Sequence, residues 1–164
     1  MRRRANAASM TRRVLFGTLG ALAGALLGAI VWGAISAATH FQIGYVAVGV
    51  GFLAGYGMRT LGGGRDRVDG AIAALVAVLG CVLGNLLSVV IELAPHTPHR
   101  STVEFAMLVL RHPAVARFLL SENFDVMDLL FYGLAILTGY RTALKPPAPV
   151  IGPAEAPPTA TAEP

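Results

Sequence analysis

The chain has 164 residues, of which 55% are hydrophobic and 13% are charged, and its formal net charge at pH 7 is +4. An ordinary soluble domain carries about 25% charged residues, so this composition excludes a large water-soluble core, and the single cysteine, Cys81, excludes an intramolecular disulfide. Apolar stretches of about 20 residues match a hydrocarbon core of roughly 30 Å. They predict an all-α fold, a membrane protein built as a bundle of four transmembrane helices.

The first 13 residues are polar and contain five arginines and no acidic residue. We expect them to form a basic cytoplasmic N-terminus ahead of a first span over residues 14–38. A twin-arginine export signal competes with this interpretation, because Arg12 and Arg13 precede the apolar run. A signal peptide has a shorter apolar core of about 7–15 residues, so the length of the run favours a retained span.

Glycines recur on one face of the first span and of the spans predicted over residues 43–58 and 71–91. Each glycine costs a helix in water roughly 1 kcal/mol relative to alanine, whereas in lipid a glycine zipper lets two helices approach closely. Packing within one chain, homo-oligomerisation through the first glycine face and a glycine-lined pore are three alternative uses. The predicted helix-packing residues are Gly20, Gly24, Gly28, Gly44, Gly51, Gly55, Gly80 and Gly84.

The long connection between the third and fourth spans covers residues 94–124. Ser101 and Glu104 have the spacing of a capping box ahead of an apolar run, and Pro113 divides the segment. We expect one or two short interfacial helices that lie against the membrane surface. The fourth span is predicted over residues 126–144, and the proline- and alanine-rich cytoplasmic tail 146–164 is predicted to be disordered.

The basic residues are distributed unequally between the two sides of the predicted membrane protein. Four spans place both termini on one side, together with ten basic residues. Only Arg100, Arg111 and Arg117 lie on the other side. Because lysine and arginine accumulate on the cytoplasmic side, both termini are predicted to be cytoplasmic, and the charge indicates topology rather than a nucleic-acid partner.

Two groups of polar residues are candidates for chemistry. His96 and His99 lie three residues apart on the predicted outer face, and imidazole is a suitable ligand for zinc or copper. A plain solvated loop is the alternative interpretation of this pair. Asn85 and Asp128 are the polar residues most apt to enter the hydrocarbon, where such groups are costly, and they form a tentative polar site. No cofactor is predicted.

Glycine and aromatic residues of the second and last spans carry a resemblance to known sequences. Gly44 and Tyr45 are followed by Gly49, Gly51 and Gly55. In the last span, DLLF lies near the beginning and TGYR near the end. This pattern resembles a broad group of uncharacterised bacterial four-span small integral membrane proteins with a Gly-Tyr…Gly-x-Gly second helix. The resemblance implies a location in the inner (plasma) membrane and implies no activity.

The sequence shows no nucleophile–base pair, no paired carboxylates and no cluster of metal ligands of the kind that enzymes use. We therefore predict a protein that is not an enzyme and that acts through helix–helix association, as a homo-oligomer or as a small subunit of an envelope complex. Its expected partners are the lipid bilayer and other membrane proteins, and no nucleic acid. A channel or transporter for a small solute or ion, and a membrane-bound enzyme, are the alternatives.

Overall fold

The computed structural model describes residues 2–39, 44–64, 66–96, 101–122 and 125–144, and these ranges contain α-helices and one short 3-10 turn but no strand. The predicted all-α fold is therefore confirmed for the described part of the chain. The helices are α1 (Arg2–Thr39), α2 (Val46–Gly62), α3 (Arg67–Leu93), α4 (Thr102–Arg111), α5 (Pro113–Glu122) and α6 (Val126–Ala143), and the 3-10 turn is Ala94–His96.

Four of the helices form a bundle, in which α1 and α6 each contact both α2 and α3, and α2 also contacts α3. Gly17 in the first half of α1 approaches Met58 in the last part of α2, whereas Gly28 further along α1 approaches Val50 nearer the start of α2, so these two helices are antiparallel. Gly70 at the start of α3 faces Tyr140 at the end of α6, so this pair is antiparallel too. The helical bundle that the sequence predicted is thus present.

The bundle has two distinct ends. We call one the arginine end, because Arg13, Arg59, Arg67 and Arg141 lie in the parts of α1, α2, α3 and α6 that meet there. At the opposite end, α4 and α5 pack against α3 and against each other. The apolar side chains of this second cluster are Val89, Val90, Ala94, Phe105, Val109 and Leu119.

Local hydrogen bonds explain where several helices begin and end. The expected capping box at α4 forms, with the Ser101 amide donating to Glu104 Oε2 over 2.9 Å. Similar boxes start α3, between Asp66 and Asp69, and α6, between Asp125 and Asp128. At the end of α2, Gly63 adopts a left-handed φ of 85° and its amide donates to the Arg59 carbonyl oxygen, as glycine commonly does after the last turn of a helix.

The helix bounds differ in detail from the predicted spans. The basic N-terminal residues belong to α1, which runs from Arg2 without a break into the apolar stretch. The α2 helix continues past the predicted residue 58 to Gly62, and α3 begins at Arg67 rather than at 71, because Asp66 supplies its N-terminal cap. The predicted tail 146–164 and residues 40–43 lie outside the described residues.

Small side chains fill the interior of the bundle. Ala21, Ala54 and Ala77 have no exposed surface, and Trp32 and Met58 are the largest side chains that are fully buried in this four-helix part. Large apolar side chains instead face outward from all four helices. They include Leu15, Leu19, Leu22, Leu26, Phe52, Tyr56, Leu75, Leu79, Leu129, Leu130 and Leu137.

Two of the described helical segments are long and apolar enough to cross a membrane, Met10–Ser36 within α1 and Arg67–Leu93, which is α3. The α2 helix, with 17 residues, and the α6 helix, with 18 residues, do not meet the same length and hydropathy criteria. The sequence therefore predicted the helical bundle correctly, and membrane-length helices account for two of the four predicted spans.

Gly24 and Gly49 provide a matched pair of tests for close helix packing. A Cβ at Gly24 would press on the Leu53 carbonyl group of α2, whereas a Cβ at Gly49 has no atom within 4 Å. We expect Gly24→Ala to lower the free energy of unfolding by about 1–3 kcal/mol, as overpacking does. Gly49→Ala should leave it unchanged or raise it by up to about 1 kcal/mol. Reversible unfolding in mixed micelles measures both, and equal effects would contradict this packing.

Candidate functional site

The predicted glycine face of α1 lies directly against α2. A Cβ at Gly20 would meet the carbonyl group of Gly57, and a Cβ at Gly57 would meet the carbonyl group of Gly20, so the two backbones touch. Gly28 approaches Val50 further along the same seam. Only helices without side chains at these positions approach so closely. The face of Gly20, Gly24 and Gly28 is thus occupied by a helix of the same chain.

The remaining predicted glycines lie at other contacts between helices. Gly51 packs against the Ala135 carbonyl group of α6, Gly55 packs against Gly139 and Thr142, and Gly44 faces the Phe131 ring. In α3, Gly80 lies against Ala25 and Val50, and Gly84 lies against the Trp32 ring. Sequence reasoning missed Gly57, which packs against Gly20, and did not name Gly139, which contacts Gly51, Ala73 and Ala77, as a packing residue. Spacing within one helix does not reveal which residues the facing helix presents.

The arginine end contains an ion-pair cluster that the sequence did not reveal. Arg13 Nη2 lies 2.5 Å from Asp66 Oδ2 and 3.5 Å from Asp69 Oδ2. The Asp69 side chain is fully buried, whereas the Asp66 side chain is half exposed. Asp69 also accepts a hydrogen bond from the Asp66 amide, so one buried carboxylate both caps α3 and ties α3 to α1.

Polar side chains lie together in the half of the bundle away from the arginine end. The Ser88 hydroxyl oxygen is 3.0 Å from Ser36 Oγ and 3.0 Å from the Gly84 carbonyl oxygen, so these groups satisfy one another. One helical turn away, the side chain of Asn85 faces Tyr132 of α6. We call Trp32, Asn85 and Tyr132 the polar cluster, because each is almost completely buried and carries a polar atom.

The structure gives the two residues of the predicted polar site different surroundings. Asn85 is 1% exposed and lies in the bundle interior. Asp128 is only partly buried, and its Oδ2 accepts a hydrogen bond from the Asp125 amide over 3.0 Å as part of the α6 capping box. Tyr132, one turn further along α6, interacts electrostatically with both Asp128 and Asn85. The spacing of four residues predicts that Tyr132 shares a helical face with Asp128, but sequence reasoning did not assign Tyr132 to the polar site.

The structure describes one of the two histidines of the predicted metal site. His96 is exposed, and its Nδ1 lies 3.3 Å from the Glu92 carbonyl oxygen, while His99 lies outside the described residues. In the portion of the chain that the structure describes, no group of three histidine, cysteine or acidic side chains is arranged to hold a metal ion. Metal binding by His96 and His99 therefore stays a prediction.

The fold defines a class of protein, an all-α helical bundle with an apolar exterior. No family model, no curated protein and no solved structure matches the chain. The resemblance to bacterial four-span membrane proteins thus stays a prediction that depends on glycine and aromatic spacing alone.

The ion pair of Arg13 gives a second matched test. We expect Arg13→Ala to lower the free energy of unfolding by about 3 kcal/mol, because it leaves the buried Asp69 carboxylate without its cation. Arg12→Ala should change it by no more than about 0.5 kcal/mol, since Arg12 is exposed and lies over the Phe16 ring. Adding Asp69→Asn to Arg13→Ala should restore part of the loss in a thermal unfolding experiment. Equal losses from the two arginine variants would contradict the assigned role.

Proposed function

We propose that the chain is an integral protein of the bacterial inner membrane, with α1, α2, α3 and α6 as four spans, that acts without catalysis through helix–helix association. The observation that supports this best is the reversed placement of apolar side chains, with alanine and glycine inside and leucine outside. Monomeric soluble proteins rarely expose large contiguous apolar patches. Lipid tails are as apolar as leucine, so a bilayer covers such a surface without cost.

We interpret the short helices α2 and α6 as spans because they pack alongside helices that are long enough to cross a membrane. The α2 helix contacts α1 and α3, and the α6 helix contacts α3. At 1.5 Å per residue, their 17 and 18 residues extend about 25 and 27 Å. The hydrocarbon core is roughly 30 Å thick, and a long arginine side chain can extend to the headgroups. Arg59 and Arg141 occupy the last turns of α2 and α6, where they would reach the headgroups in this way.

The same arginines indicate the orientation of the bundle in the membrane. The arginine end gathers cationic residues from all four bundle helices, and the accumulation of such residues on the cytoplasmic side assigns this end to the cytoplasm. Both termini of the four-span bundle are then cytoplasmic. On the outer side, α4 and α5 carry Val103, Met107 and Phe118 on exposed faces, as interfacial helices do.

Association with another copy or another membrane protein has to use outward surfaces, because α2 already covers the Gly20, Gly24 and Gly28 face. Gly49 of α2 and Gly133 of α6 are exposed glycines with no atom within 4 Å of a Cβ. A partner helix can approach the backbone closely at such positions. Under this proposal the buried glycines fold the monomer and the outward surfaces mediate assembly.

A channel or transporter is the alternative function, and the buried amide of Asn85 is the observation that favours it. Between Asn85 and Asp69, however, no other buried side chain of the described residues is polar or charged. A polar path through one chain would therefore stop halfway across the bundle. Transport would require a pathway between several copies.

Native mass spectrometry from mild detergent tests the association. We expect a mass that is a multiple of 17.1 kDa, or one chain together with a second membrane protein. Gly49→Leu and Gly133→Leu should reduce the assembly without unfolding the monomer, because a Cβ at either position has no atom within 4 Å and the rest of the side chain points away from the bundle. A bare monomer at all protein concentrations would contradict the proposal, and saturable solute flux into liposomes would favour the transport alternative.

A further inference from the structure

Among the described residues, two buried side chains of the bundle interior carry polar atoms that make no hydrogen bond of good geometry. Asn85 is 1% exposed and faces Tyr132, and within the described part of the chain neither its Oδ1 nor its Nδ2 makes a hydrogen bond of good geometry. Trp32 is 2% exposed, and its Nε1 likewise has no acceptor there. Buried polar groups in folded proteins are almost always hydrogen-bonded, either to the protein or to ordered water.

These groups lie at one level of the bundle. The Trp32 ring contacts Gly84, which is the neighbour of Asn85 in α3. One turn nearer the outer end, the contact between Ser36 and Ser88 closes the seam between α1 and α3. One turn nearer the arginine end, Cys81 Sγ lies 3.8 Å from the Ala47 carbonyl oxygen of α2. The unpartnered groups thus sit between two internally satisfied contacts.

Leaving such groups unpaired costs free energy, and this cost favours a bound molecule that can form the missing hydrogen bonds. An amide without a hydrogen bond in an apolar environment costs roughly 2–7 kcal/mol, and both amide atoms of Asn85 and the indole N–H of Trp32 lack a well-formed hydrogen bond among the described residues. A buried water typically makes about three hydrogen bonds to such groups. Water can accept from the indole and from the amide nitrogen and can donate to the amide oxygen, so it matches every unpaired atom.

We propose that the polar cluster of Trp32, Asn85 and Tyr132 is an internal hydration site, which holds ordered water in the outer half of the bundle. The site goes beyond the proposed function, since neither association nor membrane location requires it. Water held there connects α3 by hydrogen bonds to α1 and to α6, two helices that each pack against α3.

Hydroxyl-radical labelling by X-ray radiolysis tests the site, because radicals formed from ordered water modify side chains next to it even when they are buried. The full chain in lipid nanodiscs is irradiated, and the modification rate of each side chain is divided by its rate in the unfolded chain. Met58 is the internal control, since it is 0% exposed and reactive but lies among apolar neighbours. We expect Trp32 and Tyr132 to be modified several-fold faster than Met58 on this scale.

The variant Asn85→Leu removes both amide atoms while it keeps the number and branching of the side-chain heavy atoms, and it should bring the rates of Trp32 and Tyr132 down to that of Met58. Normalised rates for Trp32 and Tyr132 no higher than that of Met58 in the wild-type chain would overturn the hydration site, whether or not the variant folds. Unchanged rates in a folded Asn85→Leu variant would overturn it as well. Fast modification of Tyr56, which is 52% exposed and faces lipid in the proposed membrane protein, would count against membrane insertion instead.

Discussion

The close contact between Gly20 of α1 and Gly57 of α2 determines which side chains fit inside the bundle and which lie on its outside. Two helix backbones touch there, and any side chain at either position would force them apart. The same kind of approach recurs where Gly51 meets Ala135 and where Gly80 meets Ala25. Helices this close leave no room for leucine or phenylalanine between them. The large apolar side chains are consequently on the outside, and this placement supports the proposed membrane location.

This arrangement changes what stabilises the fold. A soluble bundle gains most from moving large apolar side chains out of water, at about 25 cal/mol per Å², but alanine and glycine contribute little area of this kind. The bundle is therefore stabilised mainly by close dispersion contacts between helices and by a few polar contacts. The Arg13 cluster joins α1 to the start of α3 at one end, and Ser36 with Ser88 joins the same helices near the other.

The sequence predicted those features that depend on one helix or on neighbouring residues. Glycine periodicity indicated packing faces, and the Ser101 and Glu104 spacing indicated a capping box that the structure contains. Contacts between distant residues escaped prediction: Arg13 and Asp69 are far apart in the chain and meet only after α1 and α3 align. The surroundings of Asn85 escaped it for the same reason, because three helices contribute to them. Gly63 ends α2 through a left-handed conformation that composition alone did not specify.

In the proposed membrane protein, the short helix α2 crosses the bilayer because it packs against α1 and α3, which are long enough to span it. With Cys81 replaced by alanine, single cysteines at Tyr45 and at Thr60, both exposed and at opposite ends of α2, can be labelled in cells with a membrane-impermeant maleimide. The account predicts that Tyr45→Cys reacts in intact spheroplasts and that Thr60→Cys reacts only after permeabilisation. Reaction of both positions from the same side would contradict it.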